Sequence, residues 1–176
     1  MITDREKDAA SSVVSRRGES TQFVEFQIDG QRYAFPIGQI REIVILQDIT
    51  LTPQVAAYVD GVSNLRGAII PIINLRVLFG LTRRAVDEET RTIVVNVGLR
   101  TMGCTVDTVT RVLRIANNQI QQAPETITAE GADYINGFAK VDDQLVILID
   151  VDQLLDIDRL RHIKSVSLPR ITTNGH

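Results

Sequence analysis

The sequence predicts an all-β chain, and three observations carry that prediction. Apolar residues alternate with polar ones over short runs, beginning with Val24, Phe26 and Ile28, as half-buried strands require. Tight-turn signals such as Asp29-Gly30 separate the runs. The second half of the chain repeats the apolar pattern of the first at fixed offsets, so the β-unit formed by one half is expected to form twice.

Residues 1–20 are polar, small and of mixed charge, and they read as a flexible arm. From Gln22 the alternation of Val24, Phe26 and Ile28, then of Tyr33, Phe35 and Ile37, predicts a β-hairpin across Asp29-Gly30. A third strand is expected over Ile40–Leu46, then a loop containing Pro53, then strands over Tyr58–Leu65 and Ala68–Ile73. These five strands make a first unit over about residues 21–81. The polar segment Thr82–Thr90 reads as a linker, and its Asp87, Glu88 and Glu89 beside Arg83 and Arg84 as a solvated loop.

The repeat places the second unit over about residues 91–150. At an offset of 69, Val24, Phe26 and Ile28 fall on Ile93, Val95 and Val97, and Ile40 and Ile43 fall on Val109 and Val112. At an offset of 76, Tyr58, Gly61, Leu65 and Ile73 fall on Tyr134, Gly137, Val141 and Ile149. Asn74 and the matching Asp150 each precede a short helical stretch, where a side-chain oxygen accepts from free backbone N–H groups. A C-terminal helix is expected over about 151–163 and a loose tail over 164–176. Two five-stranded units suit two small barrels, because closure removes exposed strand edges.

Composition narrows the function. A chain of 176 residues with 44% hydrophobic content buries a substantial core. A net charge of −3 and 5% aromatic residues without tryptophan offer neither a phosphate-neutralising surface nor a stacking platform, so nucleic acid is not an expected partner. A nucleic-acid-binding barrel would need a basic stripe carrying aromatics. One cysteine and a charged start without an apolar stretch fit the cytoplasm. Apolar runs far shorter than the roughly 20 residues that span a bilayer imply no direct membrane contact.

No motif that cradles phosphate, binds metal or activates serine is present. His162 and His176 read as solvated, and Cys104, on one strand face with Met102 and Val106, as a small buried hydrophobe. Catalytic residues, metals and cofactors are therefore not expected. An enzyme with a site between the barrels would need convergent acids of shifted pKa to revive it.

The run YVDGVSNLRGAIIPIINLRVLFGL, residues 58–81, resembles the signature of CheW-type chemotaxis coupling proteins, and the likeness extends over about residues 21–157. The resemblance implies two SH3-like barrels in an adaptor, cytoplasmic and carried to receptor arrays at the inner membrane by its partners. Those partners are the regulatory domain of the histidine kinase CheA and the cytoplasmic hairpin of chemoreceptors, with the adaptor monomeric when alone. It places receptor contacts at Ile40, Glu42, Ile43 and Arg66. It places kinase contacts at Leu51, Pro53, Val55 and Gly61, and at the matching end of the second barrel at Gln121, Glu125 and Thr126. Gln121 and Thr126 stand where the family can carry a basic and an aromatic residue. An adaptor of a non-flagellar chemosensory pathway would keep the same fold.

Two readings of side-chain placement accompany these positions. Ile40 and Ile43 have opposite parity on a regular strand, so one of them is free to face a partner unless a bulge intervenes. Glu42 and Arg66 are expected to pair, fixing the turn that carries Arg66 against the strand that carries Glu42.

Overall fold

The computed structural model describes residues 19–46, 48–53, 55–129, 132–157 and 160. Ten strands run in chain order: β1 (Ser20–Ile28), β2 (Gln31–Pro36), β3 (Ile40–Val44), β4 (Val59–Leu65), β5 (Ala68–Asn74), β6 (Arg91–Val97), β7 (Arg100–Val106), β8 (Thr108–Ala116), β9 (Ile135–Val141) and β10 (Gln144–Ile149). Three single-turn helices accompany them among the described residues: α1 (Leu75–Leu78), α2 (Glu125–Thr128) and α3 (Val151–Leu154). The chain is all-β as expected.

The strands form two five-stranded sheets, ordered β8-β1-β2-β10-β9 and β3-β6-β7-β5-β4. Neither follows the division at the linker. Each half gives its first hairpin to one sheet and its other three strands to the other. Substituting each strand by its repeat partner turns one sheet order into the other, so the halves are related by a reciprocal exchange of hairpins. Residues 21–81 thus do not build one sheet, nor 91–150 the other, in contrast to the sequence expectation. The connections explain the exchange. After β2, one 3-10 turn at Ile37–Gln39 carries the chain across, with Gln39 donating to Asp150 Oδ1 at 3.1 Å and accepting from the Val151 N–H at 3.1 Å. After β7, Asp107 makes the reverse crossing and accepts from the Asp29 N–H at 2.8 Å and from Arg76 at 2.6 Å.

The expected barrel closure differs too, because neither sheet is closed by hydrogen bonds. The sheets curl. Thr50, in the β3–β4 connection, bridges to Val62 of β4, and Gln121, in the β8–β9 connection, bridges to Phe138 of β9. Each connection therefore covers the far edge strand, leaving less edge exposed without a full ladder.

The largest core lies between the sheets, with Phe26, Phe35, Ile147 and Ile149 from one and Ile73, Ile93, Val95 and Cys104 from the other. Inside the curl of the first sheet lie Phe23, Ala34, Leu113, Ile115 and Leu148; inside the second, Ile70, Ile72 and Val94. Asn74 caps α1 by accepting from the Val77 N–H at 3.3 Å, and Asp150 caps α3 by accepting from the Asp152 N–H at 3.0 Å. The first turn of the expected C-terminal helix is present as α3. Residues 1–18 of the expected arm, most of the chain beyond Ile157, and both histidines lie outside the described residues, while Ser20, expected at the end of that arm, opens β1.

Candidate protein-interaction surfaces

β3 is a sheet edge, and its pairing to β6 shifts between Ile40 and Glu42. Arg41 is the extra residue of this bulge, so Ile40 opposes Val95 and Ile43 opposes Ile93, two positions on one face of β6. The parity expectation is thereby resolved by a bulge. Ile40 packs against the central core, whereas Ile43 is 38% exposed and Ile45, just past the strand, 61%.

The β4–β5 hairpin turns at Arg66-Gly67, both at positive φ (53° and 87°), with the Gly67 N–H donating to Asn64 Oδ1 at 3.0 Å. The turn aims Arg66 at β3, where its Nε lies 3.2 Å from Glu42 Oε2. The expected pair forms. Its Arg66 side chain is 72% exposed and that of Glu42 22%, so the pair contributes little stability, at most about 1 kcal/mol. Geometrically it clasps the β3 edge of the curled sheet to the hairpin from the opposite side. Exposed Ile43 on β3 and Ile69 on β5 flank it.

A second clasp occupies the equivalent place in the other sheet. The offset of 69 carries Glu42 to Arg111, the offset of 76 carries Arg66 to Asp142, and Arg111 pairs with Asp142. The charges are inverted. Asp142 keeps the left-handed conformation of Arg66, at φ 53°, and Thr110 repeats the bulge of Arg41. The two offsets already contained this pair; it escapes a reading of the family signature because its charge order is reversed.

The second clasp is anchored more deeply. Arg111 also pairs with Glu25, whose side chain is 2% exposed and which accepts from Arg32 and Thr110 as well. Burial acts to raise the Glu25 carboxyl, but hydrogen bonds from Arg32, Thr110 and Arg111 outweigh it and hold the group below its ordinary pKa. Val94 takes the position of Glu25 in the other sheet, so the Glu42–Arg66 clasp has no such anchor.

In the β3–β4 connection, Leu51 is 80% exposed, Val55 45%, and Pro53 is exposed as well. Gly61 differs from these. It is buried in β4 at φ +144°, and a Cβ there would meet the Thr50 carbonyl oxygen at 2.2 Å. Gly61 therefore lets the connection cross β4 and presents no contact surface. Gly137 does the same beneath Gln121, at 2.6 Å. Gln121, Glu125 and Thr126 are exposed around the start of α2, in the place equivalent to the first connection.

Catalytic features do not assemble around these surfaces. Burial pushes the Cys104 thiol up to about 12, which leaves it protonated at neutral pH. Among the described residues no group of three or more His, Cys, Asp or Glu is placed to hold a metal ion, and no helix is long and apolar enough to cross a membrane.

A family model described as the CheW-like domain matches residues 22–159. Chemotaxis protein CheW of Helicobacter pylori is 36% identical over 158 residues, covering 89% of this chain and 95% of that protein. Its counterpart in Klebsiella aerogenes is 33% identical over 146 residues, covering 83% and 88%. Among solved structures, the scaffolding protein TtCheW of Thermoanaerobacter tengcongensis superposes with a TM-score of 0.70 at 30% identity, covering 79% of this chain and 94% of that one.

Proposed function

Because the chain belongs to the CheW family of chemotaxis adaptors, which are scaffolds and not enzymes, we propose that it couples the cytoplasmic hairpin tips of chemoreceptors to the regulatory domain of the histidine kinase CheA. The receptor face is the β3 edge: Ile43 supplies apolar contact, Glu42 and Arg66 supply polar register, and Ile40 supports the strand from the core side. The kinase faces are the two strand-crossing connections, one with Leu51, Pro53 and Val55, the other with Gln121, Glu125 and Thr126. The adaptor works in the cytoplasm and reaches the inner membrane through the receptor.

The observation that carries this reading is the exposed, unanchored Glu42–Arg66 pair with Ile43 and Ile69 beside it, at the positions the family signature marks. A charged pair worth little to the fold, set among exposed apolar side chains, fits the polar and apolar mixture of a protein interface. Modest affinity at each face suffices, because partners held together in an array raise one another's effective concentration.

The test is a titration of the purified chain against a chemoreceptor cytoplasmic fragment and a CheA regulatory domain. Arg66→Ala is expected to weaken receptor binding by about tenfold, or about 1.4 kcal/mol, and to leave kinase binding unchanged. Leu51→Asp is expected to do the reverse. Binding to neither partner by the wild-type chain would overturn the proposal.

A further inference from the structure

Four non-glycine residues adopt positive φ among the described residues: Asp29, Arg66, Asp142 and Asp143. All lie in two-residue turns between antiparallel strands: Asp29-Gly30 joins β1 to β2, Arg66-Gly67 joins β4 to β5, and Asp142-Asp143 joins β9 to β10. Such turns hold both residues left-handed to match the twist of the flanking strands, and they favour Asn, Asp and Gly. A short polar side chain tolerates that conformation by bonding to nearby backbone, which the long stem of an arginine does not do. Arg66 thus stands where the other two turns have aspartate, and its backbone is strained.

The exposed Glu42–Arg66 pair adds little to stability and does not account for that strain. Strained residues persist where the surrounding structure holds them and where the conformation serves a site. The holding group is Asn64, whose Oδ1 accepts from the Gly67 N–H at 3.0 Å. That N–H belongs to the peptide that follows Arg66, so fixing it sets the direction in which the Arg66 side chain leaves the turn. The guanidinium then meets Glu42 through two nitrogens, Nε to Oε1 and Oε2 at 3.4 and 3.2 Å and Nη2 to Oε1 at 3.3 Å. A contact of fork on carboxylate depends on orientation as well as reach. The other clasp is built differently: the offset of 76 carries Asn64 to Lys140, whose side chain has no acceptor, and its turn is made of two aspartates.

We propose that Asn64 is a positioning residue for receptor recognition. By holding Arg66 left-handed in its turn, it presents the guanidinium and the Glu42 carboxylate to the receptor as one preset pair. Asn64 acts through the turn and makes no receptor contact of its own. This role rests on the receptor reading of the β3 edge; the hold on the turn and on the pair does not.

Binding of the full chain to the receptor fragment and to the kinase domain is titrated for variants of Asn64. Asn64→Ala is expected to weaken receptor binding about three- to fivefold, to leave kinase binding unchanged, and to lower Tm by no more than about 4 °C. Asn64→Asp keeps the acceptor oxygen and loses the amide donor, and is expected to bind the receptor within about twofold of the wild type. On an Arg66→Ala background, Asn64→Ala is expected to add no further loss, as a residue that acts only through another must behave. Should Asn64→Ala fail to fold, Asn64→Gln, which carries the amide one methylene out of place, replaces it with the same directions. Unchanged receptor binding in Asn64→Ala, weakened binding in Asn64→Asp, or additive losses in the double variant each overturn the proposal. A receptor-free arm follows the Arg66 Nε–H signal by NMR when Glu42→Gln is introduced. The signal is expected to move in the otherwise wild-type chain and to stay in place when Asn64→Ala is already present; equal movement in both overturns the proposal. If the wild-type chain binds no receptor fragment, the receptor reading fails, and this signal alone decides whether Asn64 positions the pair.

Discussion

A Cβ at Gly61 would stand 2.2 Å from the Thr50 carbonyl, with the backbone at φ +144°; an alanine there forces apart two hydrogen-bonded segments. Gly61→Ala is expected to lower unfolding free energy by roughly 2 kcal/mol, read from urea titration, so that a binding defect in a Gly61 variant reports damage to the fold. Glu25 supplies a second residue-scale test. Its folded pKa is depressed, so the stability it gives is present above the ordinary carboxylate range and lost as pH falls through the folded value. The wild-type Tm is expected to drop below about pH 5, and Glu25→Gln to flatten part of that slope while lowering Tm at pH 7. Strand positions, the two caps and the burial of Cys104 were legible in the sequence, because each follows from local alternation or from one side chain meeting its own backbone. The burial of Gly61 was not legible. A glycine in a family motif looks alike whether it meets a partner or a neighbouring carbonyl, and the residue that forbids a side chain, Thr50, belongs to a different segment.

Among elements, the two clasps differ in anchorage although they share geometry. Arg66→Ala removes an exposed pair and is expected to cost less than about 1 kcal/mol. Arg111→Ala strips one cation from the buried Glu25 carboxylate and is expected to destabilise the chain more than Arg66→Ala does, as measured side by side in guanidinium unfolding. The contrast separates the two edges: β3 is free to trade its ion pair for a partner's groups, and β8 is tied to the interior. The sequence foresaw the first clasp from the resemblance and could have yielded the second from its own two offsets. It could not foresee the bulges at Arg41 and Thr110, since an extra residue in a strand leaves the apolar count unchanged and shows itself only through the register of the facing strand.

Over the whole molecule, hairpin exchange makes the halves interdependent. β1 is hydrogen-bonded to β8 and β2 to β10, while β5 and β3 are hydrogen-bonded to β7 and β6. Fragments 1–85 and 86–176, produced separately, are expected to be unfolded by circular dichroism and to recover the native spectrum when mixed. The intact chain is expected to unfold in a single transition. The repeat made two alike halves legible, but not which hairpin joins which strands. Backbone pairing leaves no side-chain pattern to distinguish a partner in its own half from one in the other, and the choice is made by the short crossings at Ile37–Gln39 and Asp107. These crossings have a consequence for biosynthesis. The hairpin of Ser20–Pro36 is synthesised well before the strands it pairs with, which end at Ile149. At about 5–20 residues per second it waits on the order of ten seconds with two bare edges, and its sheet cannot be completed until Ile149 has emerged.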